Sequence, residues 1–197
     1  MIQQNLLQMI QAEKVEWKKL GDILLIQRGK RLVRSQLQHS GKYPVYQNSL
    51  QPLGFFNDKN CRSNMSFIIA AGAAGEIGFS DTEFWAADDC YYFDCPQELL
   101  NDKFLYYFLL TQQSKITSQV RKASVPRLGR ASVENIQVPI PSLETQQKIV
   151  KILDKMTELE ATLEATLEAE LSQRRRQYEY YRNALLDFDN RAGGGNS

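Results

Sequence analysis

The feature that most constrains this chain is a C-terminal stretch, residues 142–188, that contains neither proline nor glycine. Pro141 ends the preceding segment and Ser142 is a favoured N-cap residue, so the pattern predicts one helix from 142 to 188. At about 1.5 Å per residue this helix would be roughly 70 Å long. That length exceeds the diameter of the small domain before it, so we expect most of the helix to project.

One apolar stripe runs along the predicted helix. Its members follow each other at intervals of three or four residues that average 3.6: Ile149, Ile152, Met156, Leu159, Leu163, Leu167, Leu171, Tyr178, Tyr181 and Leu185, with Arg174 at the one interrupted position. A single narrow stripe on a projecting helix predicts a partner helix, so we interpret these residues as a dimer interface in a coiled coil. The alternative is packing against the chain's own domain, which is too short to cover the helix.

The charge order along the helix predicts an antiparallel pair. An acidic block precedes a basic one: Glu158, Glu160, Glu164, Glu168 and Glu170, then Arg174, Arg175, Arg176 and Arg182. A parallel pair would set like charges against each other, whereas an antiparallel pair centred near Leu167 would bring Arg174 towards Glu160 of the other chain. Each exposed ion pair contributes little, but their sum can select the orientation.

The rest of the chain completes an α+β architecture. We predict four parts: an N-terminal amphipathic helix over residues 1–16 (its apolar face beginning at Ile2), a strand-rich domain over 17–141, the long helix over 142–188 and a flexible tail over 189–197. The fold class is therefore a strand-rich domain followed by one long α-helix that pairs with a partner helix.

Several short segments of the domain have the pattern of strands. Residues 66–71 and 90–94 are mostly apolar, each with one polar residue at an end (Ser66 and Asp94), and have the length of a strand. Residues 136–140 alternate between apolar and other side chains, and Pro139 restricts that strand to an edge or an end. The sequence therefore predicts a sheet-based core with at least three strands.

One helix and one glycine-rich turn interrupt these strands. Asn101 and Asp102 can cap an apolar helix over residues 103–110. Three glycines follow the first predicted strand: Gly72, Gly75 and Gly78. Their spacing is not that of a phosphate-binding loop, so we interpret them as glycines that let two strands turn tightly or let the backbone approach a partner.

Composition excludes several classes of protein. Apolar residues make up 43% and charged residues 24%, the balance of an ordinary soluble protein. No apolar run could span a bilayer and the first residues lack a secretory pattern, so we expect a cytoplasmic protein without a membrane partner. An odd number of cysteines, Cys61, Cys90 and Cys95, predicts free thiols. With His39 as the single histidine and no enzyme motif, we predict no catalytic residue and no metal site.

Charge is balanced overall, at +1, but not along the chain. Residues 28–42 carry five basic side chains and no acid, and residues 115–130 carry five more. Between them, residues 76–102 hold eight acids and no base, including the pair Asp88 and Asp89, which we interpret as a solvated turn. A fold that brings both basic segments to one face and turns the acidic segment away would suit a polyanion. The alternative is that these charges only solvate loops.

The order of motifs along the chain closely resembles the specificity subunit of type I restriction-modification enzymes. The segments that carry the resemblance are Trp17-Lys-Lys-Leu-Gly-Asp-Ile23, Arg28-Gly-Lys30, Tyr43-Pro-Val-Tyr46, Ala71-Gly-Ala-Ala-Gly-Glu-Ile-Gly78, Phe104-Leu-Tyr-Tyr-Phe-Leu109, Ser124-Val-Pro-Arg-Leu128, Val133-Glu-Asn-Ile-Gln-Val-Pro-Ile-Pro-Ser-Leu-Glu144 and Gln146-Gln-Lys-Ile-Val150. The resemblance covers about residues 15–188 and is most specific over 133–153.

The resemblance implies an assembly. Family members carry two target-recognition domains, each followed by a long helix; the helices pack antiparallel, and each domain reads one half of a bipartite site in double-stranded DNA. A modification subunit and a restriction subunit perform the chemistry, so S-adenosylmethionine, ATP and Mg are expected only on those partners and this chain is expected to be non-catalytic. With one domain and one helix, the chain resembles a half-subunit that would act as a homodimer on an interrupted palindrome.

The basic loops supply the candidate DNA-binding residues. Contacts to phosphates or guanine edges are expected from Arg28, Lys30, Arg31, Arg34, Lys42, Arg121, Lys122, Arg127 and Arg130. For Arg127 a structural role is the alternative, because it lies just before the segment that begins at Val133. Bidentate contacts to adenine are expected from Gln47, Asn48 and Asn64. Three alternatives stay open: a dimeric scaffold that does not bind DNA, a nuclease or methyltransferase fused to a coiled coil, and a silent fragment of a longer specificity subunit.

Overall fold

The computed structural model describes residues 13–188 and divides the chain into two compact units, the first ending at Val150 and the second beginning at Lys151. Within the described residues, short strands dominate the first unit and a long helix begins near its end. The predicted α+β class, with a strand-rich domain followed by one long helix, is therefore confirmed.

Nine strands lie within the described residues. They are β1 Glu16–Lys19, β2 Gln27–Arg28, β3 Tyr43–Tyr46, β4 Gly54–Phe56, β5 Met65–Ile69, β6 Ile77–Ser80, β7 Trp85–Ala86, β8 Cys90–Tyr92 and β9 Gln137–Ile140. Five α-helices accompany them: α1 Leu20–Ile23, α2 Asp102–Thr111, α3 Gln113–Ser118, α4 Arg130–Glu134 and α5 Leu143–Leu186. A single 3₁₀ turn spans Arg34–Gln36.

The strands form three small sheets. The largest has the order β2-β8-β5-β6 and is antiparallel throughout. In the second, β3 lies between β4 and β7 and pairs parallel with β7. The third pairs β1 with β9, where Pro139 lies opposite Trp17. This two-stranded sheet agrees with the prediction that Pro139 confines its strand to an edge.

Strand β5 is the centre of the first unit. All five of its residues are buried, and four of them are apolar; the exception is Ser66. Phe67 and Ile69 face one hydrophobic core, together with Phe84, whereas Ile68 faces the other, together with Leu105. Because both faces of the strand are covered, its sequence is mostly apolar and does not alternate with polar residues.

The predicted helix over residues 1–16 falls mostly outside the described residues. The part that is described differs from the prediction, because Glu13 lies in a bend and Glu16 begins strand β1. The reason is pairing, since Glu16 is in register with Ile140 of β9. The predicted cap of the internal helix is confirmed: the side chain of Asn101 accepts hydrogen bonds from the amides of Lys103 and Phe104, each at 3.0 Å.

The long helix is anchored at its first turn. Ser142 Oγ accepts from the Thr145 amide at 3.3 Å, as expected of an N-cap, and the Glu13 carboxylate accepts from the Ser142 amide at 2.6 Å. These bonds hold the pKa of the Glu13 carboxyl below its usual value. The fully buried Gln146 accepts from the Asn101 amide at 2.8 Å and donates to the carbonyls of Leu99 and Pro141. These contacts explain why the first unit extends to Val150 instead of ending at residue 141.

Beyond Val150 the helix continues without a break to Leu186. Its 44 residues correspond to about 66 Å of helix, within two residues of the predicted start and end. No helix among residues 13–188 combines the length and the apolar character that a membrane span requires.

All three cysteines are free, as predicted, and all three are buried. Burial raises the pKa of the Cys61 thiol to about 12 and also raises the pKa values of the Cys90 and Cys95 thiols. Because the thiolate is the reactive form, we expect iodoacetamide at pH 8 to label the native protein at least about a hundredfold more slowly than the protein unfolded in guanidinium chloride. Mass spectrometry of timed samples measures this ratio, and a cysteine labelled equally fast in both states would contradict its burial.

Candidate nucleic-acid interface

The first basic segment is attached to the turn between β7 and β8. The amide of Gly29 donates to the Cys90 carbonyl at 3.0 Å, and the amide of Lys30 donates to the Ala86 carbonyl at 2.9 Å. Arg28 Nε donates to the backbone carbonyl of Asp88 at 2.7 Å. Gly29 is essential here, because a Cβ at this position would lie 2.0 Å from the Ala87 carbonyl oxygen. These backbone contacts fix the position of the chain just before Arg31 and Arg34.

The second basic segment forms a small hairpin. Arg121 and Arg127 exchange backbone hydrogen bonds of 2.8 and 3.2 Å across the intervening loop. The second arm of this hairpin, residues 126–128, is attached to the end of β5. The Leu128 amide donates to the Ala70 carbonyl at 2.8 Å, and the Gly72 amide donates to the Pro126 carbonyl at 3.2 Å. The hairpin therefore presents two arginines next to the central sheet.

The two basic segments meet at Arg127, which lines two neighbouring cavities. The larger, of about 520 Å³, is lined by Arg31, Leu32, Val33, Arg34, Gln47, Asn48, Leu53, Asp88, Asp89 and Arg127. The smaller, of about 310 Å³, is lined by Arg28, Ala70, Ala71, Tyr91, Arg121, Ala123, Val125, Arg127, Leu128 and Gly129. Arginines separated by about ninety positions in the sequence are thus neighbours in space. This arrangement offers several guanidinium donors to one ligand.

The glycine-rich turn brings Asn48 into the larger cavity. Gly72 has a φ of +89°, which favours glycine, and a Cβ there would lie 2.8 Å from both the Cβ and the carbonyl oxygen of Asn48. The Ala73 amide donates to the same carbonyl at 2.9 Å. Of the two roles considered for these glycines, the tight turn is the one that the positive φ angles of Gly72 and Gly75 support.

Part of the acidic segment also lies in the larger cavity. The arrangement considered from the sequence, in which residues 76–102 are turned away from both basic segments, does not hold throughout, because Asp88 and Asp89 line the same space as Arg31, Arg34 and Arg127. The reason is the pairing of β2 with β8, which carries the turn before β8 to the basic segment. The surface is therefore of mixed charge and not purely cationic.

Five predicted residues line neither cavity. They are Lys30, Lys42, Asn64, Lys122 and Arg130, all of them exposed. Lys42 Nζ lies 5.0 Å from the centre of the Tyr43 ring, and Arg130 forms a 2.7 Å ion pair with Glu134 in its own helix. Asn64 has a φ of 55°, in a turn where its carbonyl accepts from Arg62. The seven other predicted residues do come together around the two cavities: Arg28, Arg31, Arg34, Gln47, Asn48, Arg121 and Arg127.

The apolar stripe of the long helix is exposed along the second unit. Eight of its members are between 53% and 65% accessible: Met156, Leu159, Leu163, Leu167, Leu171, Tyr178, Tyr181 and Leu185. Ile149 differs, because it packs against the core of the first unit, and Ile152 is only half-exposed. Arg174 lies 3.7 Å from Glu170 of its own helix. An exposed stripe of this kind is characteristic of a helix that packs against a partner.

Comparison with known proteins assigns the family. The profile described as "Type I restriction modification DNA specificity domain" matches residues 12–173. The match covers most of the chain, both the strand-rich unit and much of the long helix. The chain therefore belongs to the type I restriction-modification DNA specificity family.

Individual relatives that carry the name of type I specificity subunits are similar to most of this chain. A Haemophilus influenzae protein that carries the name of a type I restriction enzyme specificity subunit is 34% identical over 191 residues, covering 92% of this chain and 48% of that protein. The specificity subunit of the type I restriction enzyme MpnII of Mycoplasma pneumoniae is 27% identical over 171 residues, covering 85% of this chain and 51% of that protein. The chain spans about half the length of these curated relatives.

The fold is shared with solved structures. The crystal structure of the S subunit of a type I restriction-modification system from M. genitalium superimposes with a TM-score of 0.70 at 20% identity, covering 89% of this chain and 47% of that one. The HsdS subunit of Thermoanaerobacter tengcongensis gives a TM-score of 0.61 at 18% identity, covering 87% of this chain and 48% of that one.

Proposed function

We propose that this chain is a DNA sequence-specificity component of a type I restriction-modification system, and that its strand-rich unit reads one half of a bipartite site in double-stranded DNA. The observation that carries the proposal is the meeting of the two basic segments at Arg127, in a chain of the specificity family. Arginine side chains can contact phosphates or the O6 and N7 atoms of guanine. Gln47 and Asn48 in the same cavity offer amides for adenine.

We propose further that two copies pair through the stripe of the long helix and run antiparallel. The stripe, which is exposed in the single chain, supports this pairing, and the dimer would carry two recognition units. A homodimer has two-fold symmetry, so its DNA site would be an interrupted palindrome. In this proposal the chain is non-catalytic. A modification subunit would supply S-adenosylmethionine chemistry, and a restriction subunit would use ATP and Mg.

The test is to express this chain as the sole specificity protein in a host with its cognate modification subunit and to map methylated adenines across the genome. We expect a bipartite palindromic motif. An assembled complex that leaves no motif would overturn the DNA-reading role and favour a scaffold or a silent fragment. A motif that is bipartite but asymmetric would overturn the homodimer.

Replacing Arg127 with alanine is expected to weaken half-site binding about tenfold or more, because this side chain lines both cavities. The backbone bonds of Arg127 to Arg121 remain, so the hairpin should persist. Lys18→Ala is the matched control, since Lys18 pairs with Glu16 on strand β1 and lines neither cavity. Fluorescence anisotropy at fixed salt measures both variants, and equal losses would argue for non-specific charge only.

A further inference from the structure

The turn that carries Asp88 and Asp89 is fixed by backbone bonds on three sides. The Ala87 amide donates to Tyr46 of β3 at 2.8 Å, the Cys90 amide closes the turn on Ala87 at 3.0 Å, and the Ala70 amide donates to the Asp89 carbonyl at 2.6 Å. A fourth bond comes from Arg28 to the Asp88 carbonyl. Both carboxylates are therefore mounted on a rigid support, as a specificity-determining group requires.

Neither carboxylate forms a close ion pair with the arginines of the same cavity. Within residues 13–188, no ion pair of 4.0 Å or less joins Asp88 or Asp89 to Arg31, Arg34 or Arg127, although all five residues line one cavity. A pure phosphate clamp would exclude carboxylates, because they repel the anion they would face. The mixed cavity instead suits a ligand edge that presents acceptors and donors side by side.

Base edges in the major groove have that character. Guanine presents the acceptors O6 and N7, which suit arginine, and its partner cytosine presents the N4 amino donor, which suits a carboxylate. The G·C pair offers the arginine fork two adjacent acceptors beside an amino donor, whereas in the A·T pair the adenine N6 donor separates the acceptors N7 and O4. Aspartate on a rigid turn accepts from cytosine N4 without reorganising, whereas a thymine O4 in that place would face it as a second acceptor.

We infer that Asp88 and Asp89 are specificity-determining residues, and that their cavity selects a G·C pair in the half-site, with cytosine N4 donating to a carboxylate. The inference rests on the proposed DNA-reading function and names the base pair that the same surface selects. Asparagine keeps the size of aspartate but adds a donor, so it removes the strict demand for an amino group.

The test compares the motifs of the unchanged chain and of the Asp88→Asn, Asp89→Asn and double variants, each with the modification subunit. We expect the unchanged half-site to contain a G·C pair, and at least one variant to lower discrimination at that pair about tenfold or more while the other positions keep their preference. Asp81→Asn is the matched control, because this exposed residue carries the same charge and lines neither cavity.

Four results would overturn the inference. A half-site made only of A·T pairs would contradict the inference, because it would contain no G·C pair for the cavity to select. A G·C pair whose selection is unchanged in all three variants assigns the readout to other residues, as does an equal effect of Asp81→Asn. Absence of any motif with the unchanged chain identifies failure of the proposed function itself, and the inference falls with it. Urea midpoints of the variants establish that the isosteric changes leave the fold intact.

Discussion

Replacing Leu163 and Leu167 with glutamate is expected to abolish the dimer that we propose and to leave the chain monomeric. Both leucines are more than half exposed in the single chain, so a dimer through the stripe would bury four of them in total. Burying a leucine contributes about 1.5–3 kcal/mol, so the four contribute roughly 6 kcal/mol or more, and the new carboxylates would repel each other. Light scattering after gel filtration at micromolar concentration should give the mass of one chain.

The matched control places the same charges on the opposite face of the helix. Ala161 and Ala165 have the same four-residue spacing and lie about half a turn from the stripe. Their replacement by glutamate adds equal charge to an equal length of helix, so we expect that variant to remain dimeric. A double leucine variant that stays dimeric, or an alanine variant that dissociates equally, would show that the stripe is not the interface.

The long helix could be predicted closely because its determinants are local. The absence of proline and glycine over 142–188, the cap at Ser142 and the 3.6-residue stripe each depend on neighbours within a few turns. The capped helix α2 and the buried strand β5 were predicted for the same reason. Ile149 shows where prediction from local pattern fails. Its spacing places it in the stripe, but in the structure its side chain packs against the core of the first unit.

The candidate site was only half predictable, since its geometry depends on strand pairing. The basic runs were visible as charge, and seven of their side chains and neighbouring amides do converge. The position of Asp88 in the cavity could not be read from the sequence, because its contact with Arg28 joins residues 60 positions apart through the β2–β8 pair. The role of Gly29 was missed as well, although a glycine between two basic residues was a visible signal.

Gly29→Ala is expected to lower the free energy of unfolding by about 3 kcal/mol or more. The added methyl group would lie 2.0 Å from the Ala87 carbonyl oxygen and 2.4 Å from that of Ala86. Both are backbone atoms that no rotamer change can move, so the basic segment must separate from the β7–β8 turn. Separation breaks the bonds from Gly29 to Cys90 and from Lys30 to Ala86. Urea unfolding followed by circular dichroism, at one protein concentration for all variants, measures the loss.

Gly129→Ala is the control that separates a close contact from a general glycine effect. A Cβ there meets only Ser132 Oγ, at 3.9 Å, so the cost is that of alanine at a helix N-cap, about 1 kcal/mol or less. If both variants lost equal stability, the tight packing of the basic segment on the turn would be wrong. If Gly29→Ala stays folded under assay conditions, it should still bind the half-site more weakly than Gly129→Ala, because detachment of this segment displaces Arg31 and Arg34 from the cavity they share with Arg127.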